Sequence, residues 1–148
     1  MEDGQSDEML PVHPNLNDLK LEIGQVLVCW SFLEAEIRRQ LTRSKVSESP
    51  LKRSIISQWR DFTRANSMVD NYELSRQFYE PVEKIAGLRN LIAHGIHSLS
   101  ADPWVKDSAT IVCVDPDGEK YRLTIADLRN LSAEIDSIRL SIMGFPFS

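Results

Sequence analysis

The sequence lacks several features that identify whole classes of protein. It contains no uninterrupted apolar run of about 18 residues, the length at which a membrane-spanning helix becomes a candidate. Its first residues lack the basic-then-apolar pattern of a secretory signal. Basic residues are also in deficit, because 17 Lys and Arg face 22 Asp and Glu. That balance argues against a broad basic surface for duplex nucleic acid. We therefore expect a cytoplasmic protein with no membrane partner.

Cysteine is scarce, and the spacing of the two that occur excludes a zinc site. Cys29 and Cys113 lie far apart in the sequence, in apolar surroundings, whereas zinc ligands come in closely spaced pairs. We expect both to be buried free thiols. His94 and His97 could share an ion, but no further cluster of ligands completes the site. The sequence therefore predicts neither a metal nor a cofactor.

The remaining composition is that of a globular protein. Over 148 residues, 42% are hydrophobic and 26% are charged, which suits a single domain with a core of its own. Residues 1–14 differ from the rest, because they are acidic, include Pro11 and Pro14, and show no periodicity. We predict a flexible N-terminal arm at 1–14 and one domain at 15–148.

Apolar residues at helical spacing predict four main helices. The first begins at a cap formed by Asn15 or Asn17, and its stripe consists of Leu19, Ile23, Val26, Trp30, Leu33, Ile37 and Leu41. The second begins at Ser49-Pro50, and its stripe consists of Leu51, Ile55, Trp59 and Phe62. The third begins near Tyr72 and ends at Gly95, with Pro81 marking a kink or a fresh start. The fourth follows a capping box at Thr124–Asp127.

Between the third and fourth helices the pattern changes to that of strands. Residues 98–107 are predicted to form a loop. Residues 110–114 and 120–124 then flank Asp115-Pro-Asp-Gly118, which is a strong turn signal. The predicted fold is therefore mainly all-α: a four- to five-helix up-and-down bundle with a short β-hairpin inserted before the last helix.

Chemistry is concentrated at the end of the third helix, in Ile85-Ala-Gly-Leu-Arg-Asn-Leu-Ile-Ala-His-Gly95. Arginine suits phosphate oxygens, and histidine exchanges a proton near neutral pH. Helical geometry places Arg89 at the edge of the apolar stripe and places Asn90 and His94 together on another face. Arg89 and His94 are then separated by roughly 140° on an ideal helix. They can converge through the reach of Arg89, a distorted last turn, or a second subunit.

The segment Arg89-Asn-Leu-Ile-Ala-His94 resembles the Arg-x4-His motif of the HEPN superfamily, including the asparagine that commonly follows the arginine. The helix count and the position of the motif near the end of a bundle helix agree with that resemblance, which covers about residues 17 to 143. The chain departs from one toxin branch of the superfamily. In that branch the motif continues as His-x-Tyr, where a partner adenylylates the tyrosine, and the corresponding residue here is Ile96.

The resemblance implies a homodimer and a metal-independent endoribonuclease, acting as a toxin or defence effector. Single-stranded RNA would be cleaved by its own 2′-hydroxyl, with His94 as the acid toward the leaving oxygen and Arg89 stabilising the phosphorane. Asn90 would orient His94 or the phosphate. The helix dipole favours a protonated histidine in the last turn. A neutralising antitoxin protein is a further candidate partner. The alternative is a non-catalytic HEPN-like binding or dimerisation module in a defence or regulatory system.

Structural roles for these residues stay open at the level of sequence. Arg89 could form a buried pair with Glu34 or Glu22, and His94 could simply cap the last carbonyls of its helix. Three further residues are candidates for supporting roles around the site: Glu34, Arg38 and His97. Glu34 and Arg38 are also consistent with a surface ion pair at i, i+4. His97 is also consistent with a solvated side chain.

Overall fold

The computed structural model describes residues 10, 12–44, 54–67 and 73–147. The helices are α1 (Leu16–Arg43), α2 (Ile55–Ala65), α3 (Glu80–His94) and α4 (Ile125–Gly144). A π-helical turn (Ser75–Tyr79) precedes α3. The strands are β1 (Ile96–Ser100), β2 (Thr110–Val114) and β3 (Lys120–Thr124). The described ranges are mainly helical, as predicted, with the strands placed between α3 and α4.

Helix α1 begins and packs as its sequence predicts. Asn15 caps it, because the Asn15 side chain accepts from the Asp18 amide and the Asp18 carboxylate accepts from the Asn15 amide, each at 2.9 Å. This reciprocal pair satisfies two amides that the first turn leaves without partners. The members of its stripe that are buried are Leu19, Val26, Trp30, Leu33, Ile37 and Leu41. The apolar stripe of α1 therefore faces the core.

Helix α2 is fixed by aromatic packing against the end of the chain. Its N-cap is Ser54, and the predicted start at Ser49-Pro50 lies outside the described residues. Trp59 is fully buried and donates its indole N–H to the carbonyl of Phe78 at 2.9 Å. Five rings form one cluster, with centroids of contacting pairs 4.6 to 5.6 Å apart: Trp59, Phe62, Phe78, Phe145 and Phe147. Such ring pairs stabilise a fold beyond the free energy that is gained by burying their surface area.

Pro81 distorts the third helical segment in the way its chemistry requires. It lies in the first turn of α3, directly after the π-helical turn. A proline has no N–H to donate four residues back, and its ring crowds the carbonyl there. The backbone widens instead, so that the Glu80 amide donates to the Ser75 carbonyl five residues back. Of the predicted kink or fresh start, the structure shows the fresh start, because α3 begins at Glu80, one residue before Pro81. The predicted start near Tyr72 lies outside the described residues.

Helices α1 and α4 run parallel, which corrects the predicted up-and-down order. Three contacts join them, and the partners are 107 positions apart in each: Glu22 with Arg129, Cys29 with Asp136, and Phe32 with Arg139. A constant separation requires both helices to advance in the same direction. Because α3 is antiparallel to α4, the departure from an up-and-down order lies before α3, and the strands leave from and return to the end of the bundle at which α1 starts.

Helix α3 runs in the opposite direction to α4. Phe78, just before α3, packs in a tilted arrangement at 4.8 Å against Phe145, just after α4. Leu88, near the other end of α3, lies with Leu123 and Leu128 around a small cavity at the start of α4. The last turns of α3 therefore project toward the sheet, and they carry Arg89, Asn90 and His94 with them.

The β region is a three-stranded antiparallel sheet of order β1-β2-β3, so the predicted hairpin was one strand short. Thr110 and Val114 pair with Thr124 and Lys120, as the turn at 115–118 implies. Strand β1 was missed because its sequence, IHSLS, is polar and largely exposed. Its pairing also shifts register between Ile96 and Ser98, which is a bulge at His97. The bulge interrupts the alternation that identifies a strand.

Both cysteines are buried free thiols, as predicted. Cys113 lies on the core side of β2, and Cys29 lies on α1. Burial raises the pKa of both thiols above its ordinary value, and for Cys29 the nearby Asp136 carboxylate acts in the same direction. Both effects disfavour the reactive thiolate.

In the ranges described, none of the helices is both long enough and apolar enough to cross a bilayer.

Gly95 connects α3 to the sheet through the closest backbone approach in this region. Its amide donates to the Leu91 carbonyl at 2.8 Å, and its carbonyl accepts from the Val114 amide at 2.7 Å. A Cβ atom at this position would lie 2.6 Å from the Val114 carbonyl oxygen. Glycine is therefore required by contact, and the backbone angle of −113° does not itself demand it.

Gly95→Ala should destabilise the protein because the new methyl group must push β2 away from the end of α3. We expect a loss of about 1–3 kcal/mol in the free energy of unfolding, measured by urea denaturation. Gly144→Ala is the matched control, since a Cβ there meets nothing within 4 Å. Equal denaturation midpoints for the two variants would contradict the contact.

Candidate functional site

The last turns of α3 face the β2–β3 turn across an open groove. Its volume is about 510 Å³. The residues that line it are Gly87, Asn90, Leu91, His94, Gly95, Val114, Asp115 and Pro116. The hydrogen bond between Gly95 and Val114 closes one end, so the separation of the two walls is fixed by backbone contact. Backbone contact therefore sets the width of the groove at that end.

Asn90 and His94 form part of one wall. They are four residues apart on α3, both are exposed, and both line the groove. The prediction that they share a face is confirmed. An imidazole and a carboxamide together can exchange a proton and donate or accept hydrogen bonds. This wall is thus suited to polar chemistry next to a bound group.

Arg89 reaches the edge of the groove from the core side of α3. Its side chain is half-buried, and Nη1 donates to Asn90 Oδ1 at 3.0 Å. Its Nε is buried and has no hydrogen-bond partner among the residues that the structure describes. Arg89 does not line the groove, and no hydrogen bond joins it to His94 within the part of the chain described. The long Arg89 side chain covers part of the 140° between Arg89 and His94, because it reaches Asn90, which shares a face with His94.

Neither carboxylate considered as a structural partner of Arg89 contacts it. Glu22 accepts from Arg129 at 3.3 Å. Glu34 accepts from Arg38 at 3.0 Å and from the Trp30 indole at 3.2 Å. Among the described residues no ion pair of Arg89 is formed. The guanidinium is therefore a partly desolvated cation whose charge is not neutralised by any carboxylate in the described ranges.

The opposite wall is a rigid acidic turn. Asp115 Oδ1 accepts from the amides of Asp117 and Glu119, each at 2.9 Å, and its Oδ2 accepts from the Tyr121 hydroxyl at 3.1 Å. The hydrogen bond to Asp115 raises the pKa of the Tyr121 phenol above its ordinary value. The sequence identified this segment only as a turn. The turn forms a wall of the groove because β1 pairs with β2 and so brings the β2–β3 turn back to the end of α3.

The three supporting residues lie away from the groove. Glu34 and Arg38 bond to each other. They lie close to Phe32 on α1, and the Phe32–Arg139 contact places this part of α1 beside the end of α4. Glu22, which is level with the start of α4, is twelve residues earlier in α1, or about 18 Å along the helix. His97 is exposed at the β1 bulge and does not line the groove. A supporting role for any of the three stays a prediction.

No group of three or more His, Cys, Asp or Glu side chains in the described ranges is arranged to hold a metal ion. The groups at the groove are an imidazole, a carboxamide and a bound carboxylate, with a guanidinium at the edge. Such a set can transfer protons and stabilise an anion.

Comparison of the chain with protein-family models, with curated proteins and with solved structures found no match. The resemblance to the HEPN superfamily therefore depends on the motif and the helical bundle alone.

Arg89→Met separates a structural from a functional role for this residue. The substitution keeps a long apolar stem. Within the described part of the chain, it removes a buried donor that has no partner and leaves no carboxylate unpaired. We therefore expect the free energy of unfolding to fall by less than about 1 kcal/mol, or to rise. Urea denaturation measures it. A loss of about 3 kcal/mol or more would identify a buried partner and a structural role.

Proposed function

We propose that the protein is a metal-independent endoribonuclease of the HEPN type that cleaves single-stranded RNA. One observation carries the proposal most strongly. Arg89 is kept on the core side of α3 with a buried Nε and with no carboxylate partner among the described residues, and its guanidinium is held at the groove by Asn90. An uncompensated, partly buried cation costs stability. That cost is understandable if the charge is reserved for a phosphate.

The proposed reaction uses the nucleophile that RNA carries. The 2′-oxygen attacks the adjacent phosphorus, the bond to the 5′-oxygen breaks, and the products are a 2′,3′-cyclic phosphate and a 5′-hydroxyl. His94 donates the proton that the leaving 5′-oxygen needs. Arg89 stabilises the charge that collects on the phosphorane oxygens. The proton of the 2′-hydroxyl passes to a base, for which the second His94 of a homodimer is the candidate. Asn90 keeps the guanidinium in position.

A homodimer is proposed because a single chain supplies too few catalytic groups to one groove. Arg89 reaches Asn90 but not His94, and one histidine cannot act as acid and base in the same step. Two α3 helices side by side would bring a second histidine and a second arginine to one groove. In this proposal the protein acts as a toxin or defence effector, and a neutralising antitoxin is the partner that would restrain it.

The second candidate function is a non-catalytic HEPN-like module that binds or dimerises. The absence of an Arg89–His94 hydrogen bond within the described chain favours it. Such a module would still bind RNA or a second copy through the groove, but it would not cleave.

Arg89→Ala and His94→Ala should each lower the rate of cleavage of an unstructured RNA by about 100-fold or more. The wild type should remain active in EDTA, because every proposed group is a side chain, and should leave 2′,3′-cyclic phosphate ends. Gel analysis and mass spectrometry of the fragments measure this. His13→Ala and Arg43→Ala, outside α3, are the controls and should cleave normally. Loss of activity in EDTA would exclude the mechanism, and binding without cleavage would favour the module.

Mixing the wild type with His94→Ala tests whether the site is shared between chains. If one groove needs His94 from both chains, random exchange at equal amounts leaves about a quarter of the wild-type rate, because only a quarter of the dimers keep both histidines. The rate is measured after the two proteins are unfolded and refolded together, with the wild type treated in the same way as the control. If about half of the rate remains, each chain cleaves on its own and the shared site is wrong.

A further inference from the structure

Gly87 is a helix residue that the protein's own packing does not explain. It lies in the middle of α3, where glycine is the least favourable residue after proline. A Cβ at this position would meet nothing within 4 Å. Its backbone lacks the positive φ that calls for glycine. The missing side chain therefore leaves space in the groove that no other part of the described chain fills.

That space lies beside the two polar residues of the site. Gly87, Asn90 and His94 fall within about 60° on an ideal helix and all three line the groove. At Gly87, two turns before His94, the wall of the groove is bare helix backbone. Leu91, Val114 and Pro116 add apolar surface to the same groove. A flat, largely apolar group can therefore lie against the helix with its edge near Asn90.

Charge decides which part of an RNA strand this space can hold. Asp115 lines the opposite wall, and Asp117 and Glu119 belong to the same turn. A phosphate next to these carboxylates would be repelled, whereas a nucleobase carries no charge and bears N–H groups and acceptors on its edge. Asn90 Oδ1 already accepts from Arg89, so its amide nitrogen is the donor left for a base. The phosphate belongs with Arg89 at the edge of the groove.

We propose that the groove between α3 and the β2–β3 turn is a subsite for one unpaired nucleobase, next to the phosphate that Arg89 binds. The inference builds on the proposed function, since it assigns the groove to the same RNA strand. It also gives a physical reason for single-stranded RNA as the substrate. A base can enter the groove only when it is unpaired and turned out of a helix.

The test uses Gly87→Ala with Gly24→Ala as its matched control. Both glycines lie inside helices, and a Cβ at either meets nothing within 4 Å. Each variant should gain helix stability and melt about 2–4 °C higher than the wild type. Only Gly87→Ala fills the groove. It should weaken binding of a 2′-O-methyl RNA trinucleotide, which cannot be cleaved, by about tenfold, the effect of losing one stacked base.

Binding is followed by NMR titration of the full-length protein, with an abasic trinucleotide as the second probe. We expect the 2′-O-methyl RNA to shift the amide signals of residues 87–95 and 114–116. The abasic strand, which keeps its phosphates, should leave those of 114–116 unmoved. Equal binding of both probes, or unchanged affinity in Gly87→Ala, overturns the base subsite.

Failure of this inference is distinguishable from failure of the proposed function. Base-dependent binding that Gly87→Ala abolishes, in a protein that cleaves no RNA, supports the subsite and rejects the ribonuclease. Cleavage that requires Arg89 and His94 but is unaffected by Gly87→Ala keeps the ribonuclease and rejects the subsite.

Discussion

The contact between the end of α3 and strand β2 is the constraint on which the site depends. Gly95 bonds backward to Leu91 and sideways to Val114, and its lack of a side chain allows both bonds. The helix therefore ends against the sheet and not in solvent. Strand β1 leaves from this point, β2 returns to it, and the β2–β3 turn is delivered opposite Asn90 and His94. One close backbone approach thus connects the bundle to the groove.

The rest of the bundle holds α3 at a fixed height relative to the sheet. The aromatic cluster around Trp59 and Phe147 anchors the beginning of α3 to the end of α4. Between its two ends, α3 is supported by the parallel pair of α1 and α4, which the Glu22–Arg129 and Phe32–Arg139 contacts join. Because interiors are close-packed and resist shear, the last turns of α3 are positioned by contacts at both of its ends.

The helices could be predicted from the sequence because their signals are local. The stripe of α1, its cap at Asn15 and the distortion at Pro81 each follow from residues within a few turns. Strand β1 could not be predicted, because a bulge at His97 interrupts its alternation and its pairing with β2 is non-local. The direction of α1 relative to α4 depends on contacts 107 positions apart. Periodicity carries no information about contacts of that kind.

The candidate site was only half predictable for the same reason. Helical geometry correctly placed Asn90 and His94 on one face and Arg89 on another. It could not reveal the bond from Arg89 to Asn90, because that depends on where a long side chain bends. Nor could it reveal the acidic wall at Asp115, which arrives through the sheet. The groove is thus a tertiary feature, built from one helix face that the sequence specifies and one turn that the fold supplies.

Two residues in these turns violate the local rules that the rest of α3 obeys. Gly87 weakens a helix interior without relieving any steric conflict, and Arg89 buries a donor that finds no partner in the described ranges. Either one alone would be an ordinary imperfection. Together they lie two positions apart, beside a groove whose remaining polar groups are a carboxamide and an imidazole. Sequences are otherwise locally consistent with their folds, and departures from that consistency are expected where a ligand supplies the missing contacts. An RNA strand would complete both, with a base against Gly87 and a phosphate on Arg89.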